Sequence, residues 1–297
     1  MRLTTHAPPR AAVRPPDGAR TLRLARPAVR SFPDRPASLT GVELRFMTQF
    51  LAAFGEEPDH GQYARGGGNS FTAMTRELLD SLDRPPAAAD RVLLAYHLPD
   101  MSVVEVAGCY LAEYYPGNPE VFSVSGQGVG APFTALRILD RTHTAGGLRE
   151  GAVFVLDQST LPYFDPDAHT RPHRDSAVLL RTDNAEGDDP GAAMELDLLD
   201  ERVAGPGAAL TLLLGDGHEP GQEPRTRIVV GRTLAELLGP EPLTGHDLVM
   251  GAPDRLCTSA WAALAEHWSP DRYTVVADYD PHSGRLFRAG LRPGAAS

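Results

Sequence analysis

Between residues 90 and 157 the sequence alternates between strand and helix through five successive elements. This alternation limits the fold more than any other feature. Residues 91–96 (RVLLAY) are a short apolar run suited to a strand buried on both faces, and residues 103–115 carry helical spacing. Residues 121–125 read as a strand, 132–142 as a helix and 152–156 as a strand again. Parallel strands need helical crossovers, so the pattern predicts an α/β architecture with a largely parallel sheet.

The flanking segments are less regular. Residues 1–19 are rich in Arg and Pro and read as a disordered tail. Leu22 and Leu24 alternate with polar residues, predicting a first strand within 21–32. Thr40 is placed to cap a helix whose apolar positions are Val42, Leu44, Phe46, Met47, Phe50, Leu51 and Phe54. Gly66-Gly67-Gly68-Asn69 reads as a flexible loop. Ser70 opens a second helix with Phe71, Met74, Leu78, Leu79 and Leu82 on one side. In the second half, 176–181 reads as a strand. Residues 183–224 hold eleven acids against one Arg and read as solvated loops around an apolar stretch, 208–214, expected to be a strand. Then follow a strand at 227–230, a short helix at 233–238, a strand at 248–250 and a helix at 258–268. A hairpin of 273–278 and 285–291 closes the chain around His282-Ser283-Gly284.

Composition excludes several classes of chemistry. The 297 residues are 42% hydrophobic and 23% charged, enough for one large domain or two packed halves. No apolar run approaches the roughly 18–20 residues of a bilayer span, so no membrane is expected. The chain has no lysine, which removes Schiff-base, pyridoxal-phosphate and Walker A chemistry. Residues 1–40 hold eight Arg and two Asp, whereas the rest holds 20 Arg and 37 acids, a balance of −17. A body that acidic is a poor nucleic-acid binder, and its basic tail is expected to be solvated. Two cysteines, Cys109 and Cys257, cannot build a four-thiolate zinc site or a disulfide framework, and a reducing cytoplasm is expected.

Several residues offer chemistry on their own account. Gly126-x-Gly128-x-Gly130 between a strand and a helix suggests a dinucleotide turn, with Asp157 as the ribose-binding acid. Asp157 stands 31 residues past Gly126, however, where about 20 are expected. The plainer reading is a tight turn that needs glycine. Asp165, Asp167, His169, His173 and Asp175 lie close enough in sequence to suggest a metal site, but exposed loop chemistry is the plainer reading, since ligands usually come from rigid elements, and no metal is expected. Cys257 opens the last helix, where a thiolate is favoured, and is the best candidate nucleophile in the chain, but it has no His near it in sequence and the plainer reading is a small buried residue. Cys109 is expected in the core, and His97 as a satisfied loop histidine near Asp100. Ser123 and Ser125 lack a nucleophile-elbow frame.

Four segments in order resemble the ketoacyl synthase III-type condensing enzymes of the thiolase superfamily. They are 90–115 with its Pro99-Asp100 turn, 121–139 (VFSVSGQGVGAPFTALRIL), 151–163 (GAVFVLDQSTLPY) and 254–291. The resemblance implies a thiolase-like fold of two related α/β halves, with 20–160 the better-preserved half and 161–297 an abbreviated second half. It also implies a buried cysteine at a helix N-terminus that accepts an acyl group, and a His and an Asn that polarise the malonyl thioester. This sequence departs at all three places. Gly128 falls at the Cys position, Gly251 (in DLVMGAPD) at the His position and Cys257 at the Asn position.

The resemblance therefore points to a non-catalytic ketosynthase-like subunit of polyketide or fatty-acyl biosynthesis. It would pair with a Cys-bearing homologue or with itself through residues 121–124, and would meet an acyl carrier protein. No cofactor is implied. The alternatives are a repurposed thioester-dependent acyltransferase with a different nucleophile, and a dinucleotide-binding oxidoreductase.

Overall fold

The computed structural model describes residues 21–171, 173–182, 193–215, 226–239 and 247–294. The expected 1–19 tail and the acidic segments 183–192 and 216–225 lie outside them.

The alternating region folds as predicted. β3 (Arg91–Tyr96) is flanked in parallel by β4 (Glu120–Val124) and β5 (Gly151–Asp157). The connections are α4 (Ala107–Tyr114) and α5 (Ala131–Thr144). Every residue of β5 is buried, as a strand covered on both faces requires. β6 (Ser176–Arg181) adds antiparallel to β5, and β2 (Ala28–Ser31) adds antiparallel to β6, giving the order β2-β6-β5-β3-β4.

A second sheet is built from β7 (Met194–Val203), β8 (Arg227–Val230), β9 (Asp247–Met250), β10 (Thr274–Asp280) and β11 (Arg285–Pro293). Its order is β7-β11-β10-β8-β9, and β1 (Arg23–Leu24) is added outside β7. Numbered along the chain from β2 and from β7, both sheets read 1-5-4-2-3. The last two neighbours pair in parallel with the central strand side and the rest antiparallel. The two halves are thus one topology used twice. β6, at Ser176–Arg181, is the last strand of the first sheet in chain order, and β7 opens the second set at Met194.

The layers follow from strand alternation. Leu93, Val153 and Val178 point into a core shared with Val229, Val276 and Leu291 of the other sheet. Sandwiched there are α5 and α9 (Ser259–Glu266), which meet through Phe133 and Trp261 with ring centroids 4.9 Å apart. On the outer face, Val92, Leu94 and Phe154 pack against α4 and α3 (Phe71–Asp80). The second sheet is covered on its outer face by α7 (Pro206–Gly215) and α8 (Arg232–Leu238).

Several expectations change. The stretch at 208–214 is helical, because Ala and Leu are strong helix formers and the segment has only Thr211 as a β-branched residue. The strand expected within 21–32 is two short strands in different sheets. α4 begins only at Ala107, and the residues before it form the turn after β3. α1 (Gly41–Ala52) forms, but Thr40 makes no side-chain cap. Of its apolar residues only Met47 and Leu51 are buried, while Phe46 and Phe50 stack on the surface. Gly66–Asn69 is packed rather than flexible. A Cβ on Gly67 would stand 2.3 Å from the Asp175 carboxylate, and buried Asn69 donates to that same carboxylate at 3.0 Å.

Candidate active-site cavity

The carboxyl ends of β3, β4 and β5 converge on one point, the usual place for a site in a parallel sheet. His97 follows β3. The turn after β4 runs through a short 3-10 segment, Gly128–Gly130, into α5. Asp157 ends β5. Its buried carboxylate accepts from Leu256 N at 2.8 Å, Cys257 N at 2.9 Å, Thr258 N at 2.8 Å and Thr258 Oγ1 at 2.6 Å. Four donors on one carboxylate fix the start of α9 against the end of β5. The Cys257 thiol donates to the Gly128 carbonyl at 3.3 Å. The repeated topology explains this contact, since Gly128 precedes α5 as Cys257 precedes α9.

Above this point lies a cavity of about 400 Å³ lined by His97, Gly128, Asp167, Arg232, Asp280 and His282 among others. His97 Nε2 stands 2.9 Å from Asp167 Oδ2, and His282 Nε2 stands 3.6 Å from the same oxygen. Burial pulls the His97 imidazole down, but the Asp167 hydrogen bond and charge, with Asp165 and Asp157 behind, leave it raised. The His97 hydrogen bond holds Asp167 below its usual range. Asp280 accepts from His282 N at 3.0 Å and Ser283 Oγ at 2.6 Å.

The three positions singled out by resemblance are arranged as follows. Gly128 has φ +53°, and a Cβ there would lie 3.1 Å from the Asp280 carboxyl carbon. Cys257 is fully buried. Burial first, then the charges of Asp157 and Asp278, push its thiol well above the usual range. A helix start does not activate this cysteine, because desolvation outweighs it. Gly251 packs against α9, where a Cβ would stand 2.3 Å from Ser259 Oγ, and it does not line the cavity. The structure brings Gly128 and Cys257 into contact and packs Gly251 against Ser259; of the three, Gly128 lines the cavity.

No protein-family model matches the sequence, and no curated protein matches it. Solved structures do match. The 3-oxoacyl-(acyl carrier protein) synthase III of Pseudomonas aeruginosa is similar at TM-score 0.56 and 14% identity, over 92% of this chain and 98% of that one. A variant of OleA from Xanthomonas campestris is similar at TM-score 0.57 and 12% identity, over 92% and 98%. The synthase III of Aquifex aeolicus gives TM-score 0.54 and 12% identity, over 91% and 99%. This chain has the ketoacyl synthase III fold. At these identities the likeness is one of fold.

Within the ketosynthase III fold, other sequence candidates resolve into structural roles. Asp157, offered as a ribose-binding acid, is consumed by backbone donors, so the glycine triplet has no matching acid there. The 165–175 cluster disperses. Asp165 caps the short α6 (Pro166–His169) by accepting from Asp167 N, and His169 Nδ1 accepts from Asp165 N. Asp175 accepts from Ser159 N and Oγ and from Asn69, and burial raises its carboxyl. Among the described residues, no group of three or more His, Cys, Asp or Glu is placed to hold a metal ion. Cys109, expected in the core, is exposed on α4. His97 pairs with Asp167 rather than Asp100, whose carboxylate accepts from Phe71 N at 3.0 Å. Among the described residues, no helix is long and apolar enough to cross a membrane. The sequence does not point to Arg232, Asp280 or His282, because it offers no signal that the start of α8 and the end of β10 lie beside the β4 turn.

Proposed function

We propose that this chain is a non-catalytic ketosynthase-like subunit of polyketide or fatty-acyl biosynthesis. It pairs with a Cys-bearing condensing enzyme or with a second copy of itself, and meets an acyl carrier protein in that assembly. The observation that carries this reading is Gly128. It stands before α5 on the cavity wall, where the resemblance puts the acyl-accepting cysteine, yet it has no side chain and a carboxylate occupies the adjoining space. The thiol beside it, Cys257, is buried and held protonated. The usual Cys, His and Asn correspond to Gly128, Gly251 and Cys257, none of which can take over those roles.

Pairing is supported by β4. It lies at the open edge of its sheet with Glu120 and Ser123 exposed, and an edge strand presents unpaired N–H and C=O groups to another chain. The same strand, 121–124, is the one the resemblance assigns to dimer contact.

The His97–Asp167 pair favours a second reading, a thioester-dependent acyltransferase repurposed around a nucleophile other than a cysteine at position 128. One experiment separates the two. The chain is co-expressed with Cys-bearing homologues, the complexes are isolated, and acyl loading from a carrier thioester is read by intact mass. The expected outcome is a stable pair loaded only on the partner. Acyl mass appearing on this chain would sink the non-catalytic reading. Loss of that mass in Cys257→Ala would assign it to Cys257.

A further inference from the structure

Arg232 opens α8 and is only 3% exposed. It makes no hydrogen bond or ion pair with any described residue, and its Nε and Nη1 are buried without an acceptor. It lines the 400 Å³ cavity. The charges of Asp278 and Asp167 act on Arg232 without a hydrogen bond, and a buried guanidinium whose N–H groups lack acceptors is costly until an acceptor is supplied.

The neighbouring carboxylates are already engaged. Asp278 accepts from Tyr279 N at 2.8 Å and from the Leu234 backbone. Asp280 accepts from His282 N and Ser283 Oγ, Asp167 faces His97, and Glu236 pairs with Arg171. His97 lines the same cavity, and its Nδ1 is buried without a partner. Between these groups the wall is apolar, formed by Val129, Leu237 and Leu256.

We propose that this cavity binds a small carboxylate with an apolar body, its headgroup held by the Arg232 guanidinium and met by His97. The planar guanidinium fork suits two carboxylate oxygens. Asp167 and Asp280 on the same wall repel any anion, and a phosphate dianion about twice as strongly as a carboxylate monoanion, so the monoanion suits one guanidinium better. The volume suits a body of small-molecule size. The site stands whether or not the chain pairs with a homologue, so its fate and that of the pairing are decided separately.

The test is calorimetric titration and thermal melting of the full chain with hexanoate and benzoate, against neutral benzamide and inorganic phosphate. Hexanoate or benzoate is expected to bind one to one and to raise Tm, with benzamide and phosphate without effect. Arg232→Met should weaken carboxylate binding roughly 10- to 100-fold. In a variant that folds, the rise in Tm produced by hexanoate or benzoate should be lost with the binding; a guanidinium that merely supports the fold would leave that ligand-induced rise intact. If that variant does not fold, the wild-type panel decides. The proposal is overturned if no carboxylate binds, if benzamide binds as well, if phosphate binds better, or if the Met variant binds as wild type.

Discussion

Asp278 and Asp157 show how differently two buried carboxylates can be treated. Asp157 faces four donors. Asp278 is buried with fewer, and desolvation outweighs its backbone bonds and the Arg232 charge, lifting its pKa from 3.8 to about 7. Its proton is therefore held more tightly folded than unfolded. Between those two values the native state binds more protons, so stability falls as pH rises through the window. The contribution is on the order of 4 kcal/mol. Urea titrations between pH 4 and 8 should show this decline, flattened in Asp278→Asn. A steep decline that persists in the variant would assign it elsewhere. The thiols separate just as sharply. In the native state one cysteine, exposed Cys109, should react promptly with a thiol reagent, and Cys257 only after denaturation. Rapid reaction of two thiols in folded protein would contradict the burial described. The sequence misplaces Cys109, which reads as core, whereas a small buried residue is the plainer reading of Cys257 and is what the structure shows. Exposure depends on what packs alongside, and the Gly128 contact reaches Cys257 across 129 positions.

The elements were legible where burial alone sets the pattern. β3 and β5 are covered on both faces, and their apolar runs announce it. β7 is hidden in the sequence because three of the four Arg that answer its acids lie far along the chain. Buried Asp200 bonds to Arg288 and Arg202, and Glu201 bonds to Arg137 and Arg285. The segment read as a solvated loop is therefore a ten-residue strand. α5 depends on one close approach. A Cβ on Gly130 would stand 2.3 Å from the Phe287 ring of β11. Both sides are packed, since Phe287 also stacks near Phe133. Gly130→Ala should cost about 2 kcal/mol by chemical denaturation, in the range of overpacked cores. A neutral outcome would mean that α5 can slide relative to β11.

At the scale of the molecule, the repeated strand order was visible only as a resemblance, because no stretch of the second half repeats the first in residues. What repeats is the order and direction of the strands and the helices that connect the parallel ones, α4 and α5 in the first half and α8 and α9 in the second. The central core draws side chains from both sheets and from α5 and α9, and neither half can close it alone. Calorimetry should therefore give one cooperative transition with matching van't Hoff and calorimetric enthalpies. Two resolved transitions would show that the halves unfold independently.

The turn at Gly128 also sets a limit on redesign. A single codon change to cysteine would place a side chain on a left-handed backbone and bring it against the Asp280 carboxylate. Any thiol installed there would face a negative neighbour that keeps it protonated and slow to react. Building a condensing catalyst on this scaffold is thus a problem of at least two coupled changes, with relief at Asp280 coming before the nucleophile.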